Sequence, residues 1–458
     1  MLQNAFPKFK EKMAVEKLPQ IVIDTFEYYY AQLLSGKTGL LPESEIQPIS
    51  ELQNSEKLSN DFKEFGKKVL KNSVMIKLNG GLGTSMGLSE AKSLLKVKDS
   101  LTFLDIIVRQ AISSEIPIVL MNSFNTQKKS LEILNNYKEL KQTIPFDFLQ
   151  HKIPKINSDN FEPIEFHNNK NHEWCPPGHG EIYTALVTSG MLEKLLSNNF
   201  EYAFISNSDN LGAVMDFSIL GFFAKNNFPF LMEVTNRTEA DKKGGHLAKH
   251  SNGQLILREA AQCHVEDESE FQNIDKHKFF NTNNIWINLK SLKNILEDNN
   301  NILGLPMIVN KKTVDPRNLK SQSVFQLETA MGSAISVFKN ASAVVVPRTR
   351  FAPVKTTDDL LAVRSDNYIL TEDFRVIVNP IRKLNPLYVK LDPKFYKHVD
   401  ELDDKIPHPL SLVDCEKLIV NGNYSFGKNI KIVGNVKLEN HSNEQMVIGN
   451  DHVLKTKQ

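Results

Sequence analysis

The sequence predicts an α/β fold: a mixed, largely parallel sheet covered by helices, with a helical segment before it and a small β-rich module after it. Three observations predict this. From Ser73 onward, short apolar runs alternate with amphipathic stretches. The first of these runs ends in a glycine-crowded loop, and beyond about residue 380 short β-type pieces are punctuated by Asn and Gly.

Residues 1–70 read as a polar helical layer. Val22, Phe26, Tyr29, Tyr30 and Leu33 share one helical face, with Pro19 as a start signal and Gly36 as a stop. Residues 71–375 carry the alternation: "VMIKL", "FLDIIVRQAI", "IPIVLM" and "SLEILNNY", then "YAFIS", "FSILGFFAK" and "PFLMEV". Strand-helix order of this kind builds a sheet buried on both faces. It breaks at "KGGHLAKHSNGQLILRE", where Asn252-Gly253 between alternating runs predicts a hairpin turn. A strand-helix pair follows in "NNIWINLKSLKNIL", then a helix in "FQLETAMGSAISVF" and a strand in "ASAVVVPR". In residues 376–458, "KLIVNGNYSFGKNIKIVGNVKLEN" has the texture of a parallel β-helix, with a β-sandwich fragment as the alternative.

Composition narrows the function classes. A chain of 458 residues with 41% hydrophobic and 24% charged residues and a formal net charge of +1 has room for two or three domains. It carries no field that would point to nucleic acid or a membrane surface, so any basic site is local. The three cysteines, Cys175, Cys263 and Cys415, are odd in number and far apart, which argues for a reducing compartment. The start lacks an apolar signal core, and no run reaches the roughly 18 apolar residues of a membrane span. The expected location is the cytoplasm.

The loop "KLNGGLGTSMG", residues 77–87, carries the chemistry. Gly80, Gly81, Gly83 and Gly87 leave main-chain amides bare, so that they can point together at an anion or a base edge. A dinucleotide fingerprint is not met, because the third glycine position after Gly81 and Gly83 holds Met86. A P-loop is not met either, since after the first glycine, Gly80, no Lys occurs until Lys92. A tight turn in a strand-loop-helix crossing remains as the bland reading. His172, Cys175 and His179 suggest zinc, but three mixed ligands on a Pro-Pro loop lack a clear fourth.

"KLNGGLGTSMG" followed by "AKS" resembles the nucleotide-binding loop of the eukaryotic-type UTP–glucose-1-phosphate uridylyltransferases, also called UDP-glucose pyrophosphorylases. "WCPPGHGEIYTAL", "ISNSDNLGA", "MEVTNRTEADKKGG", "FNTNNIWINL", "QLETAMGSAI" and "VPRTRFAPVKTTDDLL" resemble further family blocks, in order, from about residue 74 to 370. One block departs. Many members have Cys-Lys-Gly-Pro-Lys-Ser after the Met-Gly, whereas this chain has Leu88-Ser89-Glu90-Ala91-Lys92-Ser93, which retains one lysine of two.

The resemblance implies a Rossmann-like, GT-A-like nucleotidyltransferase domain and a C-terminal left-handed β-helix that supports subunit contacts in relatives. It implies attack of glucose 1-phosphate on the α-phosphorus of UTP, giving UDP-glucose and pyrophosphate reversibly, with UTP and the sugar phosphate as the only partners besides a possible second copy. Both reactants are polyanions, so positioning and charge stabilisation dominate such a transfer. By family position Lys92 and Lys355 bind phosphate oxygens, and Asp209 binds Mg²⁺ held jointly with them. Leu78, Gly80, Gly81, Gly83, Thr84, Gln150 and Gly178 fall on the nucleotide side. His179, Asn207, Glu233, Gly245, Asn281 and Asn283 fall on the sugar and phosphate side. Two rivals stand beside this expectation: a related pyrophosphorylase for galactose or N-acetylhexosamine 1-phosphate, and a non-catalytic nucleotide-sugar binding protein.

Overall fold

The computed structural model describes residues 5–167, 169–318 and 320–455. Its centre is a sheet built from β1 (Gln53–Asn54), β2 (Ser73–Asn79), β3 (Ile118–Asn122), β4 (Asp147–Leu149), β5 (Tyr202–Asn207), β6 (Phe230–Asn236), β7 (His246–His250), β8 (Leu255–Arg258), β9 (Phe279–Asn288) and β10 (Ser342–Val345). The main order is β1-β10-β6-β9-β5-β2-β3-β4, with the β7–β8 hairpin branching from β9. Each pairing along this order is parallel except the two that β9 makes, with β5 and with β6. The main path of the sheet is therefore mixed through the one internal strand β9, and the β7–β8 hairpin adds a further antiparallel pair.

Strands β2, β3 and β5 are nearly unbroken apolar runs because both faces of the sheet are covered. On one face lie α3 (Asn60–Val69), α4 (Phe103–Ser113) and α5 (Phe217–Lys225), packed around Phe204, Phe223 and Trp286. Leu186, Leu195 and Leu292, from three helices on the other face, pack around Ile76, Ile205 and Ile285. The α4 start is fixed by a capping box, in which the Thr102 hydroxyl accepts from the Asp105 amide at 3.0 Å and the Asp105 carboxylate accepts from the Thr102 amide at 2.9 Å. Helices α3 and α5 touch backbone to backbone through Gly66 and Gly221. A Cβ on either would lie within 2 Å of a carbonyl oxygen of the other helix (1.9 and 1.7 Å).

Two local expectations change. The segment before Ser73 is not one helical layer. Helices α1 (Phe6–Val15) and α2 (Gln20–Leu34) stack Phe9, Phe26 and Tyr30 over Ile156, Met307 and Leu327, whereas α3 joins the helices on the main sheet and β1 pairs at its edge. The stretch "FQLETAMGSAISVF" is not a helix. Its first half lies in the strand Ser323–Thr329, paired antiparallel with Met307–Thr313, and the chain then turns through a 3₁₀ segment, Met331–Ser336. The hairpin at Asn252-Gly253 forms, with Gly253 at φ +87°.

The C-terminal module consists of β11 (Tyr388–Leu391), β12 (Cys415–Asn421), β13 (Tyr424–Phe426), β14 (Lys431–Glu439), β15 (Met446–Ile448) and β16 (Val453–Lys455). All are paired in parallel, as β11-β12-β14-β16 and β13-β15. Leu418, Val420, Phe426, Ile430 and Ile432 stack inward and join the cluster that contains Phe204 and α4. Parallel strands that pair with the next but one along the chain rule out a simple antiparallel sandwich fragment.

Candidate active site

Strands β2, β3 and β5 run parallel, so their C-terminal ends open on one edge, where an open α/β sheet presents its crevice. At that edge Leu78 lies in register with Asn207 on one side and Met121 on the other. The Asn79 side chain donates to Asn122 Oδ1 at 2.7 Å and Ser130 Oγ at 2.8 Å, which locks β2 to β3 beneath the loop.

The glycine loop is held from both flanks. Ser123 Oγ donates to the Gly80 carbonyl at 3.0 Å, and the Lys92 amide donates to the Gly81 carbonyl at 3.0 Å. Gly80 lies under the amide of Gln150. A Cβ there would meet three Gln150 side-chain atoms at 2.7 Å. Gly81 has open space where a Cβ would point, and Thr84 is exposed. Gly83 at φ +64° turns the chain into the 3₁₀ segment Thr84–Met86, a conformation that costs glycine least.

Across from this loop, Lys92 Nζ donates to Asp209 Oδ2 at 2.6 Å. The other carboxylate oxygen, Oδ1, is buried without a protein partner. Asp209 sits in the turn after β5. The Asn210 amide group donates to Asn284 Oδ1 at 3.2 Å and to the Arg350 carbonyl at 3.0 Å, while its Oδ1 accepts from the Gly212 and Ala352 amides. A β-bridge between Asn210 and Pro353, and a bond from the Val354 amide to the Asp209 carbonyl at 3.3 Å, place Lys355 next along the chain. Lys355 is exposed, and its ammonium stands 6.0 Å from the centre of the Phe351 ring. Among the described residues it makes no ion pair within 4.0 Å.

Gly178 has φ +81° and ψ 172°, open to glycine alone, and a Cβ there would sit 2.4 Å from the Thr329 carbonyl oxygen. The next residue, His179, accepts the Met331 amide at Nδ1 (2.9 Å), so its proton belongs on Nε2. Desolvation pushes its pKa down to about 4, which makes the ring a neutral N–H donor at pH 7.

Gly245, Asn281 and Asn283 come together on the far side. The Asn281 amide donates to the Gly245 carbonyl at 3.1 Å. The Asn281 side chain donates to Asn283 Oδ1 at 2.9 Å. They meet at a bulge in β9, where Glu233 pairs with Asn284 and Val234 with Asn281, leaving Thr282 and Asn283 outside the register with Asn283 at φ +57°.

Glu233 does not reach the crevice. Its side chain is 0% exposed and pairs with Arg350 at Nη2–Oε1 2.6 Å and Nε–Oε2 2.9 Å. Trp286 Nε1 and Asn284 Nδ2 complete its carboxylate, each at 3.0 Å. It supports the site from below, because a fully paired buried carboxylate has no lone pair left to offer a sugar. Sequence reasoning did not name Glu259, whose carboxylate lies beside Gly245 and Asn281. A Cβ on Gly245 would lie 2.5 Å from its Oε2, and desolvation raises its pKa against a hydrogen bond from Asn281 and the charge of Lys355. Nothing in "LILREAAQ" marks it, since an acid after a strand reads as a turn residue. Among the described residues no group of three or more His, Cys, Asp or Glu could hold a metal ion, and Cys175, Cys263 and Cys415 are unpaired.

Residues 23–433 match the family model of UTP–glucose-1-phosphate uridylyltransferase. The chain belongs to that family. It is 40% identical over 438 residues to UTP–glucose-1-phosphate uridylyltransferase of Solanum tuberosum, covering 93% of this chain and 89% of the relative. Its fold superposes with a TM-score of 0.91 and 42% identity on a mutant of UDP-glucose pyrophosphorylase from Leishmania major, solved in complex with UDP-Glc, covering 99% of this chain and all (100%) of that one. The UDP-glucose phosphorylase from Trypanosoma brucei gives a TM-score of 0.90 and 42% identity, with 99% of each chain covered. Family membership thus agrees with the blocks that resemble it in sequence.

Proposed function

We propose that this chain forms UDP-glucose and pyrophosphate from UTP and glucose 1-phosphate, reversibly, by direct attack of the sugar phosphate on the α-phosphate. One observation carries the proposal: blocks as far apart in sequence as Gly80 and Lys355 meet along a single edge of the sheet, around one lysine-carboxylate pair. In this reading the amides of Gly80, Gly81 and Gly83, with Leu78, Thr84, Gln150 and Gly178, receive the nucleotide. Lys92 and Lys355 act as mobile point charges on phosphate oxygens, and His179 donates its Nε2 proton to another. Asn207, Gly245, Asn281 and Asn283, joined by Glu259, hold sugar hydroxyls through directed hydrogen bonds.

Asp209 fits Mg²⁺ shared with substrate phosphates, because one of its oxygens is buried and unpartnered while the other is held by Lys92. When bound, the ion supplies positive charge to the phosphate oxygens. The chain's residues do the rest by positioning. Burial pushes the Cys175 thiol up to about 12, so it is no nucleophile, which agrees with a displacement that has no covalent enzyme intermediate.

We place the enzyme in the cytoplasm and assign its sheet to the GT-A-like nucleotidyltransferases. Among the described residues no helix is long and apolar enough to cross a membrane. The parallel C-terminal coils are read as a left-handed β-helix. Met446, Val447 and Val453, exposed on β15 and β16, are its candidate surface for a second copy; light scattering across a concentration series tests this. The decisive test of function is pyrophosphate release from UTP and Mg²⁺ with glucose, galactose and N-acetylglucosamine 1-phosphates. Glucose 1-phosphate is expected to be preferred; preference for another sugar favours a sister pyrophosphorylase, and binding of UDP-glucose without any release favours a non-catalytic protein.

A further inference from the structure

Lys77 is a lysine inside an otherwise apolar strand, and it is 0% exposed. A lysine buried this far forfeits the hydration of its ammonium, so the fold must gain something specific from it. Its Nζ donates to Ser206 Oγ at 2.7 Å, on β5, and to the Ala213 carbonyl at 2.7 Å, at the far end of the turn that carries Asp209. The Phe204 ring lies beneath it, its centre 5.7 Å from Nζ. No carboxylate approaches within the 4.0 Å of an ion pair among the described residues. It is therefore not one half of a structural salt bridge. Desolvation, reinforced by the Arg350 charge and opposed by Glu233 and Asp209, pushes its pKa down to about 7.

The turn has two anchors. Asn210 ties its start to β9 and to the Arg350–Ala352 backbone, and Lys77 ties its end to β5. Asp209 hangs between them, with only its Oδ2 fixed, by Lys92. We infer that Lys77 is a positioning residue for the uridylyl transfer: by fastening Ala213 to the sheet it fixes the carboxylate of Asp209 opposite the glycine loop. The inference rests on the reading of Asp209 as the metal-side carboxylate. A displacement of that carboxylate by about 1 Å is enough to cost on the order of 10² in rate.

The test compares Lys77→Met, which keeps the side chain's length and apolar stem, with wild type and with Asp209→Ala. Lys77→Met is expected to lose about 30-fold to 100-fold in kcat. KM for UTP and the calorimetric Kd for UDP-glucose without added metal stay within about threefold, because the groups that touch the nucleotide are untouched. The Mg²⁺ concentration for half-maximal rate should rise about tenfold or more, a readout that mere loss of stability does not move. A folded Lys77→Met enzyme with kcat and Mg²⁺ dependence within about threefold of wild type overturns the inference, and so does a matching loss of UDP-glucose affinity. If Lys77→Met does not fold, Ser206→Ala removes one acceptor of the ammonium. A kcat drop of about threefold to tenfold at constant Kd then supports the role, and an unchanged kcat overturns it. An active Asp209→Ala enzyme would instead remove the underlying reading, whatever Lys77→Met does.

Discussion

Lys355 separates catalysis from stability, so Lys355→Ala is the sharpest test of the site. In the free protein its ammonium is exposed, has no ion-pair partner among the described residues, and lies at the edge of cation–π range of Phe351, at 6.0 Å. Removing it should cost stability no more than about 0.5–1 kcal/mol. With phosphates bound, two opposite charges about 4 Å apart at an effective dielectric near 20 attract by about 4 kcal/mol. The part of this that grows in the transition state, about 3–4 kcal/mol, corresponds to a loss of about 10² to 10³ in kcat. Initial rates of pyrophosphate release, together with urea midpoints for both proteins, give the two numbers from one preparation. A variant that unfolds at the wild-type midpoint and turns over within about threefold of wild type would remove Lys355 from the mechanism. A large midpoint shift would refute the picture of an unpaired, solvent-facing lysine.

Three further outcomes follow from the same contacts. Arg350→Met leaves Glu233 as an unpaired buried carboxylate and should lower stability by about 3–5 kcal/mol, whereas the double change Glu233→Met with Arg350→Met should recover much of that loss, read by chemical denaturation. Gly178→Ala forces a Cβ to 2.4 Å from the Thr329 carbonyl oxygen at a φ of +81°, so a stability loss of about 2–4 kcal/mol, read as a lower melting temperature, and a KM for UTP raised about tenfold are expected. His179 titrates near pH 4 in the folded protein against an ordinary 6.5, so the unfolded chain binds more protons between these values. Its contribution to stability is complete above about pH 6.5 and is lost as the pH falls towards 4. Wild-type kcat/KM should therefore show no imidazole inflection between pH 6 and 8, and His179→Gln should flatten the acid limb of the stability profile.

The alternation of apolar runs made the central sheet legible, because β2, β3 and β5 are buried on both faces and each carries a continuous apolar run, residues 74–76, 118–121 and 202–205. The antiparallel course of β9 was not legible from pattern. "FFNTNNIWIN" has the same apolar texture as its parallel neighbours, and direction is set by the β7–β8 excursion that precedes it. The strand Ser323–Thr329 escaped for a related reason. Val324, Leu327, Met331 and Ile335 recur at helical spacing, yet pairing with Met307–Thr313 outweighs that preference. Within the candidate site, the glycine loop stood out by composition, whereas Lys92 and Lys355 were marked only by the family resemblance of their blocks. Glu233 and Glu259 did not, because a single sequence does not reveal which of two carboxylates finds an arginine in the interior. Lys77 did leave a mark, as the one charge in "VMIKL", but only the contacts of its ammonium give that charge a meaning.

The interior carboxylate explains how elements so far apart act as one site. Arg350 binds Glu233 through its guanidinium, and its backbone carbonyl accepts from the side-chain amides of Asn210 and Asn284. One residue thus connects the β9 bulge, the turn that bears Asp209 and the segment that leads to Lys355. Apolar packing at that junction could match the ion pair in stability, since two desolvated charges recover little more than their burial costs. It could not reproduce the directions, because each hydrogen bond sets both distance and angle for the backbone it reaches. The polar network beneath the crevice is thus best understood as a source of geometry: through Asn210, Asn284 and the Arg350 backbone it holds the turn of Asp209, strand β9 and the segment that leads to Lys355 in one relation.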